Sequence, residues 1–256
     1  MLNKVANMHH HPQQIGQSKW LVPSRIDQPE LLDSGIGSQS DVRQNLADLW
    51  RINRHLGGLS SLKRHLYPRL RNSTHRLVCL DIGTGSAQIP LKMEQWAKQH
   101  GLELEILALD FSARNLKVAR DHVVSTPLSQ ISLIQGDAHS LPFAPNSVDY
   151  VISSLFLHHF SPEQVLAFLR STFRIARRGL IMTDLTRGWL PLLAFKIIQP
   201  LFARSYLTRH DGAVSIRRAY IPTELLSLAK TADLPNAAIS VYPSWPWRMT
   251  LVAEKP

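Results

Sequence analysis

The chain has 256 residues, 44% of them hydrophobic, so it is long enough for one large domain or two small ones with a full core. Its single cysteine, Cys79, excludes a disulfide framework and any zinc site that needs two or more cysteines. The formal net charge of +10 raises the question of nucleic acid. Because the Lys and Arg residues are spread out and no RNA-binding signature is visible, nucleic acid is the less favoured partner.

The first part of the chain lacks a folding pattern. Residues 1–28 contain prolines and little periodicity, so we expect them to be disordered. Residues 1–20 are polar and have no apolar core of the kind a signal peptide needs. Together with the lone cysteine, this favours a reducing, cytoplasmic location.

Two helices are predicted next. Apolar residues recur at three- and four-residue steps over residues 41–56, and two glycines then stop the helix. A second short helix is predicted over residues 59–67, ending before Pro68. Residues 29–75 are therefore expected to form an N-terminal helical cap.

Strands and helices alternate from residue 77 onward. Strands are predicted at residues 77–80, 103–109, 131–135, 148–153 and 179–184, and helices at 87–100, 113–122, 162–175 and 223–232. Strands joined by helices of this length imply right-handed crossovers and parallel pairing. Residues 238–242 and 248–253 predict an antiparallel pair. The expected fold is α/β: a Rossmann-like, seven-stranded, mostly parallel sheet with a C-terminal antiparallel hairpin and the helical cap.

An insertion at about residues 188–220 is predicted to form a lid. Its first part, residues 189–203, is the most apolar window of the chain, interrupted by Lys196 and Pro200. It is shorter than the roughly 20 apolar residues of a membrane span. We interpret it as a buried or substrate-covering helix; contact with a membrane surface is the alternative.

Residues 78–88 form the most informative stretch. An apolar run ends on Asp81, and the chain then turns through Gly83 and Gly85. Glycines let the backbone turn tightly and approach a ligand closely. Gln88 stands where a dinucleotide fingerprint has its third glycine. The stretch therefore predicts a nucleotide-containing cofactor bound at the first turn.

The second predicted strand delivers another acid, Asp110, followed by Phe111. A carboxylate at this position can accept both ribose hydroxyl hydrogens of an adenosine cofactor. Phe111 either packs on the adenine face or serves the core where the next helix begins. These two residues do not distinguish NAD from S-adenosylmethionine.

The Asp-x-Gly-x-Gly form at Asp81 resembles motif I of the class I S-adenosylmethionine-dependent methyltransferases. The acid of the second strand, residues 136–143, residues 147–160 and residues 174–184 resemble further blocks in that family's order, although Arg178 stands where the usual motif has Pro-Gly-Gly. The resemblance implies a methyltransferase domain over residues 76–256, S-adenosylmethionine as cofactor and no metal. The cofactor-binding residues that it implies are Asp81, Gly83, Thr84, Gly85, Asp110, Phe111, Asp137, Ala138 and Ser154.

Methyl transfer to a hydroxyl needs an aligned acceptor and often a base. Three candidates, His158, His159 and Asp184, are expected near the ends of the fourth and fifth parallel strands. A histidine oriented by an acid suits removal of a phenolic proton. The alternative is that one of the paired histidines packs structurally.

Residues 41–58 and 209–220 resemble methyltransferases associated with bacterial type III polyketide pathways. That narrower resemblance implies a small phenolic or polyketide-like acceptor and favours O-methylation. It adds His210 as a candidate base and Arg217, Arg218 and Tyr220 as acceptor-binding residues.

Three alternatives to a small-molecule methyltransferase stay open. They are an RNA or protein methyltransferase, motivated by the basic charge, a non-catalytic S-adenosylmethionine-binding protein, and, least favoured, an NAD-dependent reductase. The sequence leaves a homodimer open as the form of assembly.

Overall fold

A seven-stranded sheet forms the centre of the computed structural model, which describes residues 22–71, 73, 75–126 and 129–256. Its strand order is β3-β2-β1-β4-β5-β7-β6, and β7 runs antiparallel to both of its neighbours. The strands are β1 (Leu77–Ile82), β2 (Leu104–Asp110), β3 (Ile131–Gln135), β4 (Val148–Ser154), β5 (Ala176–Leu185), β6 (Ala238–Ser244) and β7 (Arg248–Glu254). The predicted fold class, including the terminal hairpin, is confirmed.

Helices pack on both faces of the sheet. They are α1 (Gln39–His55), α2 (Gly58–Arg71), α3 (Gln88–Gln99), α4 (Ala113–Val124), α5 (Pro162–Ile175), α6 (Trp189–Phe202), α7 (Tyr206–Arg218) and α8 (Pro222–Thr231). Alternate side chains of β1 serve different core clusters, because successive strand residues point to opposite faces. Leu80 and Ile82 pack with apolar residues of α5 and α8, whereas Leu77 and Cys79 pack with those of α2 and α3.

The order of strands places a ligand crevice between β1 and β4. From β1 the sheet grows one way to β2 and β3, and from β4 it grows the other way to β5 and the hairpin. The crossovers therefore diverge at this point, and open α/β sheets bind ligands just beyond the carboxyl ends of the strands there. Asp81 and Ser153 lie in or beside the paired ends of these two strands.

The second helix of the cap continues beyond its predicted end. α2 runs to Arg71 with Pro68 inside it. A proline removes one intrahelical hydrogen bond. The side chains of Leu66 and Leu70, on either side of Pro68, are both fully buried against the core. That burial explains why the helix continues through the proline.

Residues 22–28, predicted to be disordered, are held against the body of the protein, while residues 1–21 lie outside the described residues. Arg25 anchors them: its Nε donates to the carbonyl of Arg218 at 2.6 Å, and its Nη2 donates to the carbonyl of Phe160 at 2.7 Å. Its guanidinium also lies 4.4 Å from the ring centre of Tyr220. We call residues 22–37 the strap.

The apolar helix of the predicted lid, α6, has two different faces. Pro191, Leu192 and Phe195 are buried, as predicted for a covering helix. The opposite side is exposed, its large apolar side chains being Trp189, Leu190, Leu193, Ile197 and Leu201. Among the described helices, none has both the length and the apolar character to cross a membrane. The second half of the lid, predicted as an insertion rich in functional groups, is the helix α7.

Candidate active site

A cavity of about 810 Å³ lies at the carboxyl ends of the parallel strands. One end is lined by the turns after β1, β2 and β3, and the other by apolar side chains of α1, α6 and α7. The strap lines it as well, through Glu30, Leu32, Asp33 and Gly35. Arg114, at the start of α4, holds the end of the strap by donating to the carbonyls of Gly35 and Gly37 at 2.9 and 2.5 Å.

The turn after β1 has the shape that the glycine pattern predicts. Gly83 and Gly85 have φ angles of +73° and +56°, a backbone conformation that residues other than glycine rarely adopt. A Cβ atom at Gly83 would also lie 2.5 Å from the ring of Phe156. Gly83 is thus required both by its backbone conformation and by the approach of an aromatic ring that lines the cavity.

Asp81 is a buried acid at the end of β1. Burial is the main cause that raises its pKa to about 7, the charge of Asp110 adds to this, and a hydrogen bond from Thr84 Oγ1 at 2.7 Å opposes it. A cation close to a buried carboxyl group lowers the pKa of that group and so favours its ionised form. The site therefore fits a cofactor with a positively charged end, and S-adenosylmethionine carries both an ammonium and a sulfonium.

Asp110 is held rigidly at the end of β2. One carboxylate oxygen accepts a hydrogen bond from the backbone N–H of Gly85 at 2.8 Å. The other oxygen accepts two, from the backbone N–H of Ser112 at 2.9 Å and from the side-chain Nδ2 of Asn115 at 3.1 Å. Burial raises the pKa of Asp110, and these hydrogen bonds counteract it. Asn115 Oδ1, in the lining of the same cavity, is buried without a partner. The carboxylate and the amide oxygen are both acceptors, which suits ribose hydroxyl groups.

The nine residues for which the sequence predicts cofactor binding all line this one cavity. Phe111 is 75% exposed at its rim, so its ring has a face free for an adenine. Asp137 accepts the backbone N–H of His139 at 2.8 Å, which fixes the loop after β3. Ser154 Oγ, at the end of β4, accepts a hydrogen bond from Asn53 Nδ2 at 3.2 Å. The individual binding roles stay predictions.

His158 is buried between two carboxylates. Its Nδ1 lies 2.7 Å from Asp184 Oδ1, and its Nε2 lies 3.4 Å from Glu30 Oε1. Burial by itself lowers the pKa of His158, but the two carboxylates outweigh it and raise the pKa to about 10. The imidazole is therefore protonated at neutral pH. Neither of its ring nitrogens is free to take a proton from the hydroxyl group of a methyl acceptor.

His159 has a different environment. Its Nδ1 lies 2.8 Å from Asp33 Oδ2 in the strap, its side chain is partly exposed, and it lines the cavity. When Nδ1–H is donated to Asp33, Nε2 keeps its lone pair. This is the arrangement of a histidine base oriented by an acid.

Glu30, His158 and His159 also offer ligand atoms that lie within 4.8 Å of one another, a spacing that a metal ion could use. The sequence predicts no metal. In the structure His158 pairs with Glu30 and Asp184, and His159 pairs with Asp33.

Five residues with predicted catalytic or acceptor-binding roles lie outside the cavity lining: Asp184, His210, Arg217, Arg218 and Tyr220. Arg218 donates to the carbonyls of His158, Gln28 and His159, and Tyr220 donates to the carbonyl of Phe160 at 2.7 Å. His210 pairs with Asp211 on α7, and the backbone carbonyl of Arg217 accepts the N–H of Ile26 in the strap. The contacts of Arg218 and Tyr220 hold the strap and the turn after β4 in place. Asp184 is likewise occupied by His158.

Several cavity residues carried no usable signal in the sequence. Glu30 and Asp33 lie in a segment without periodicity, and only the folded strap brings them to the histidines. Arg248 is the exception, since a charged residue at the head of the apolar run of β7 is an anomaly that could have marked it. It lines the cavity together with Asn53 of α1.

Comparison with known proteins supports a methyltransferase. Residues 80–182 match the family model described as a methyltransferase domain. A demethylmenaquinone methyltransferase of Listeria monocytogenes is 28% identical over 163 residues, which cover 59% of this chain and 67% of that protein. The enzyme of the same name from Anoxybacillus flavithermus is 26% identical over 203 residues, covering 73% and 84%.

Solved structures share the fold. A putative S-adenosyl-L-methionine-dependent methyltransferase from Methanococcus maripaludis superposes with a TM-score of 0.59 at 17% identity, covering 86% of this chain and 96% of that one. Magnesium protoporphyrin IX methyltransferase from Synechocystis with bound S-adenosylhomocysteine gives 0.54 at 17% identity, covering 78% and 84%. The matched domain and the relatives support an S-adenosylmethionine-dependent methyltransferase, and the sheet order is that of the class I fold.

Proposed function

We propose that the enzyme methylates an oxygen of a small, largely apolar acceptor that carries a phenolic or polyketide-like enolic hydroxyl group. The observation that carries this proposal is the continuity of the cavity. The cavity that holds the predicted cofactor residues is also lined by a cluster of apolar side chains: Ile52, Leu185, Phe195 and Ile216. Such a space suits a compact apolar molecule with few polar groups.

The names of the relatives are consistent with this acceptor class. The two demethylmenaquinone methyltransferases are named for a quinone acceptor, a small molecule rather than a polymer. Both alignments leave part of this chain unmatched, so the acceptor of this enzyme need not be the same compound. The shared element of the proposal is a small ring-containing acceptor.

His159 is the residue that we assign as the base. When bound, S-adenosylmethionine supplies an activated methyl group. The chain must therefore place the acceptor hydroxyl, exclude water and take up its proton. Nε2 of His159 accepts that proton as the O–H bond breaks, and Asp33, 2.8 Å from Nδ1, stabilises the imidazolium that forms.

His158 has a positioning role in this scheme. Its protonated ring directs Nδ1–H at Asp184 of β5 and Nε2–H at Glu30 of the strap. It thereby fixes the turn after β4, which also carries His159, and the strap, which carries Asp33. A base and its orienting acid are held together by this buried ion-pair cluster.

The strap also weighs against an RNA or protein acceptor. Glu30, Leu32, Asp33 and Gly35 line the cavity, so a polymer would have to insert one residue beneath the strap. A small molecule meets no such constraint. The basic net charge remains the one observation that favours the polymer reading.

A methyl-transfer assay tests the proposal. The full chain is incubated with isotopically labelled S-adenosylmethionine and a panel of phenols, resorcinols, hydroquinones and enolic pyrones, and products are detected by mass. NMR of the product then distinguishes O-methyl from C-methyl. We expect O-methylation of at least one lipophilic phenol and loss of turnover in His159→Gln.

Each other outcome contradicts a stated part of the proposal. Label transferred to RNA or protein but to no phenol would favour the polymer alternative. Cofactor binding without any transfer would favour a non-catalytic binding protein. A C-methylated product would retain the acceptor class and overturn the choice of oxygen.

A further inference from the structure

Arg248 is a buried arginine whose hydrogen-bonding capacity is mostly unused. It is the first residue of β7, pairs in register with Leu185 of β5 and is 2% exposed. Its Nε donates to the carbonyl of Leu56 at 3.0 Å, whereas Nη1 is buried without a partner. No carboxylate of the described residues lies within salt-bridge distance, 4.0 Å, of Arg248. Buried guanidinium groups are normally paired, so this one calls for an explanation.

The neighbouring charges do not supply the missing partner. Asp184 acts on Arg248 through its charge, but its carboxylate oxygens accept from the ring and backbone nitrogens of His158. Glu30 is likewise committed to His158 and to Ser215. Burial lowers the pKa of Arg248 to about 10, with Asp184 opposing the shift, so the guanidinium keeps its charge at neutral pH.

The position of Arg248 in the cavity indicates what could pair with it. Arg248 lines the cavity together with Leu185, its neighbour in the sheet, and with Asn53 in the last turn of α1, three residues before Leu56. The rest of that end is apolar, which excludes water and strengthens any charge–charge contact within it. A ligand oxygen that carries negative charge would satisfy the open donors and the buried charge together.

We propose that Arg248 forms a subsite for the ionised oxygen of the acceptor, a phenolate or an enolate. This inference rests on the proposed function and deepens it, because it states in which form the acceptor binds. The guanidinium favours the anion, so the acceptor oxygen is a stronger nucleophile in the site than in water. The proton of the bound phenol is released to His159 and from there to solvent.

A second anion could in principle claim the same arginine. The carboxylate of the methionine part of the cofactor has the same chemistry as a ligand for guanidinium. The two sources differ in one consequence: loss of Arg248 would weaken cofactor binding in one case and acceptor ionisation in the other. The experiment therefore measures both.

The probe is 4-nitrophenol, whose ionised form has its own absorption band. Its absorbance is titrated against pH with the protein saturated with S-adenosylhomocysteine. We expect the pKa of the bound phenol to lie about 1 to 3 units below that of the free phenol, the usual effect of a nearby opposite charge. Arg248→Met should abolish the shift, and Arg248→Lys, which keeps the charge, should restore part of it.

Arg170→Met is the matched control. Arg170 also donates its Nε to a backbone carbonyl, that of Ala232, but it lies on α5 outside the cavity lining. It should leave the phenol shift unchanged. Binding of S-adenosylhomocysteine to Arg248→Met, within about twofold of the parent, verifies both the fold and the acceptor as the source of the anion.

Several results would overturn the proposal. One is a phenol that stays neutral in the parent protein or does not bind. Another is a pKa shift of the bound phenol that is the same in Arg248→Met as in the parent. A third is a tenfold loss of S-adenosylhomocysteine affinity in Arg248→Met while the phenol pKa shift remains. The parent titration needs no variant, so the test survives a variant that fails to fold. Phenol ionisation without turnover of any phenol would contradict the proposed function alone; turnover that does not depend on Arg248 would contradict only this subsite.

Discussion

The imidazole Nδ1 of His158 lies 2.7 Å from Oδ1 of Asp184, and both side chains are fully buried. Asp184 Oδ2 also accepts the backbone N–H of His158 at 2.9 Å, so the two residues are joined twice. Because Asp184 lies on β5 and His158 follows β4, the pair fixes the turn that carries His159. Nε2 of His158 extends the connection to Glu30 in the strap.

This pair predicts a specific pH dependence of stability. The pKa of His158 is raised to about 10 in the folded protein, against about 6.5 in an unfolded chain. The stabilisation that protonated His158 gives to the folded protein is therefore fully present below about pH 6.5. It is lost as the pH rises toward 10. The free energy of unfolding should fall over this range by up to about 1.4 kcal/mol per pH unit.

Urea unfolding at several pH values, in parallel for the parent protein and His158→Gln, measures this contribution. Other groups titrate above pH 9, and the difference between the two proteins removes their share. Parallel curves from pH 6.5 to 10 would contradict the assigned protonation. His100→Gln, on an exposed histidine bonded to a backbone carbonyl, is the control.

His159 and Asp33 should act together in turnover. Replacing His159 by Gln removes the group that takes the proton, and we expect kcat for a phenolic acceptor to fall by about 10²-fold or more. Asp33→Asn should cost less, because the ring stays but its orientation and charge compensation weaken. Steady-state kinetics check both values.

The control in the same experiment is cofactor affinity. Both variants should bind S-adenosylhomocysteine as the parent does, since neither residue belongs to the turns after β1, β2 or β3. An active His159→Gln would remove the histidine from the mechanism. His210→Gln is expected to retain activity, because His210 lies outside the cavity lining.

Asp110 and Phe111 should determine cofactor affinity. Loss of the Asp110 carboxylate removes the acceptor for the ribose hydroxyls and frees three donors that it holds, so Asp110→Ala should weaken S-adenosylhomocysteine binding at least tenfold. Phe111→Ala should weaken it by several-fold, and Phe111→Trp should preserve it. Calorimetry measures all three, with Asp121→Ala, an exposed acid paired with Arg43, as the control.

The strap should loosen when its anchor on α7 is removed. Asp211 accepts the backbone N–H groups of Leu31 and Leu32 at 2.9 and 3.1 Å. In Asp211→Ala we expect faster hydrogen exchange of these two amides and faster dissociation of S-adenosylhomocysteine. Asp233→Ala, an exposed acid after α8, should change neither. Unaltered exchange would show that the strap is held by other contacts.

The sequence predicted the sheet, and the residues that it assigns to the cofactor line one cavity, because the signals for both are local. Asp81 and Gly83 are two residues apart, and the turn they form depends on backbone conformation alone. Asp110 is identifiable because it ends an apolar run. Alternating strand and helix periodicities then determine which edge of the sheet these groups share.

The acceptor end was less predictable because it is built from distant segments. The contact of Glu30 with His158 and that of Arg248 with Leu56 join residues far apart in the chain. Arg217, Arg218 and Tyr220 looked functional because charged and aromatic residues are concentrated there. Only the folded chain shows that Arg218 and Tyr220 donate to backbone carbonyls.

The contacts of the strap determine where this protein can be shortened at its amino-terminal side. The sequence predicts residues 22–28 of the strap to be disordered, which would suggest that they can be trimmed to improve expression. Starting the polypeptide at α1 would remove Glu30 from His158, Asp33 from His159 and one wall of the cavity at a single cut. A shortened protein could keep its sheet and still lose its chemistry, so failed turnover in such a version says nothing about the enzyme itself.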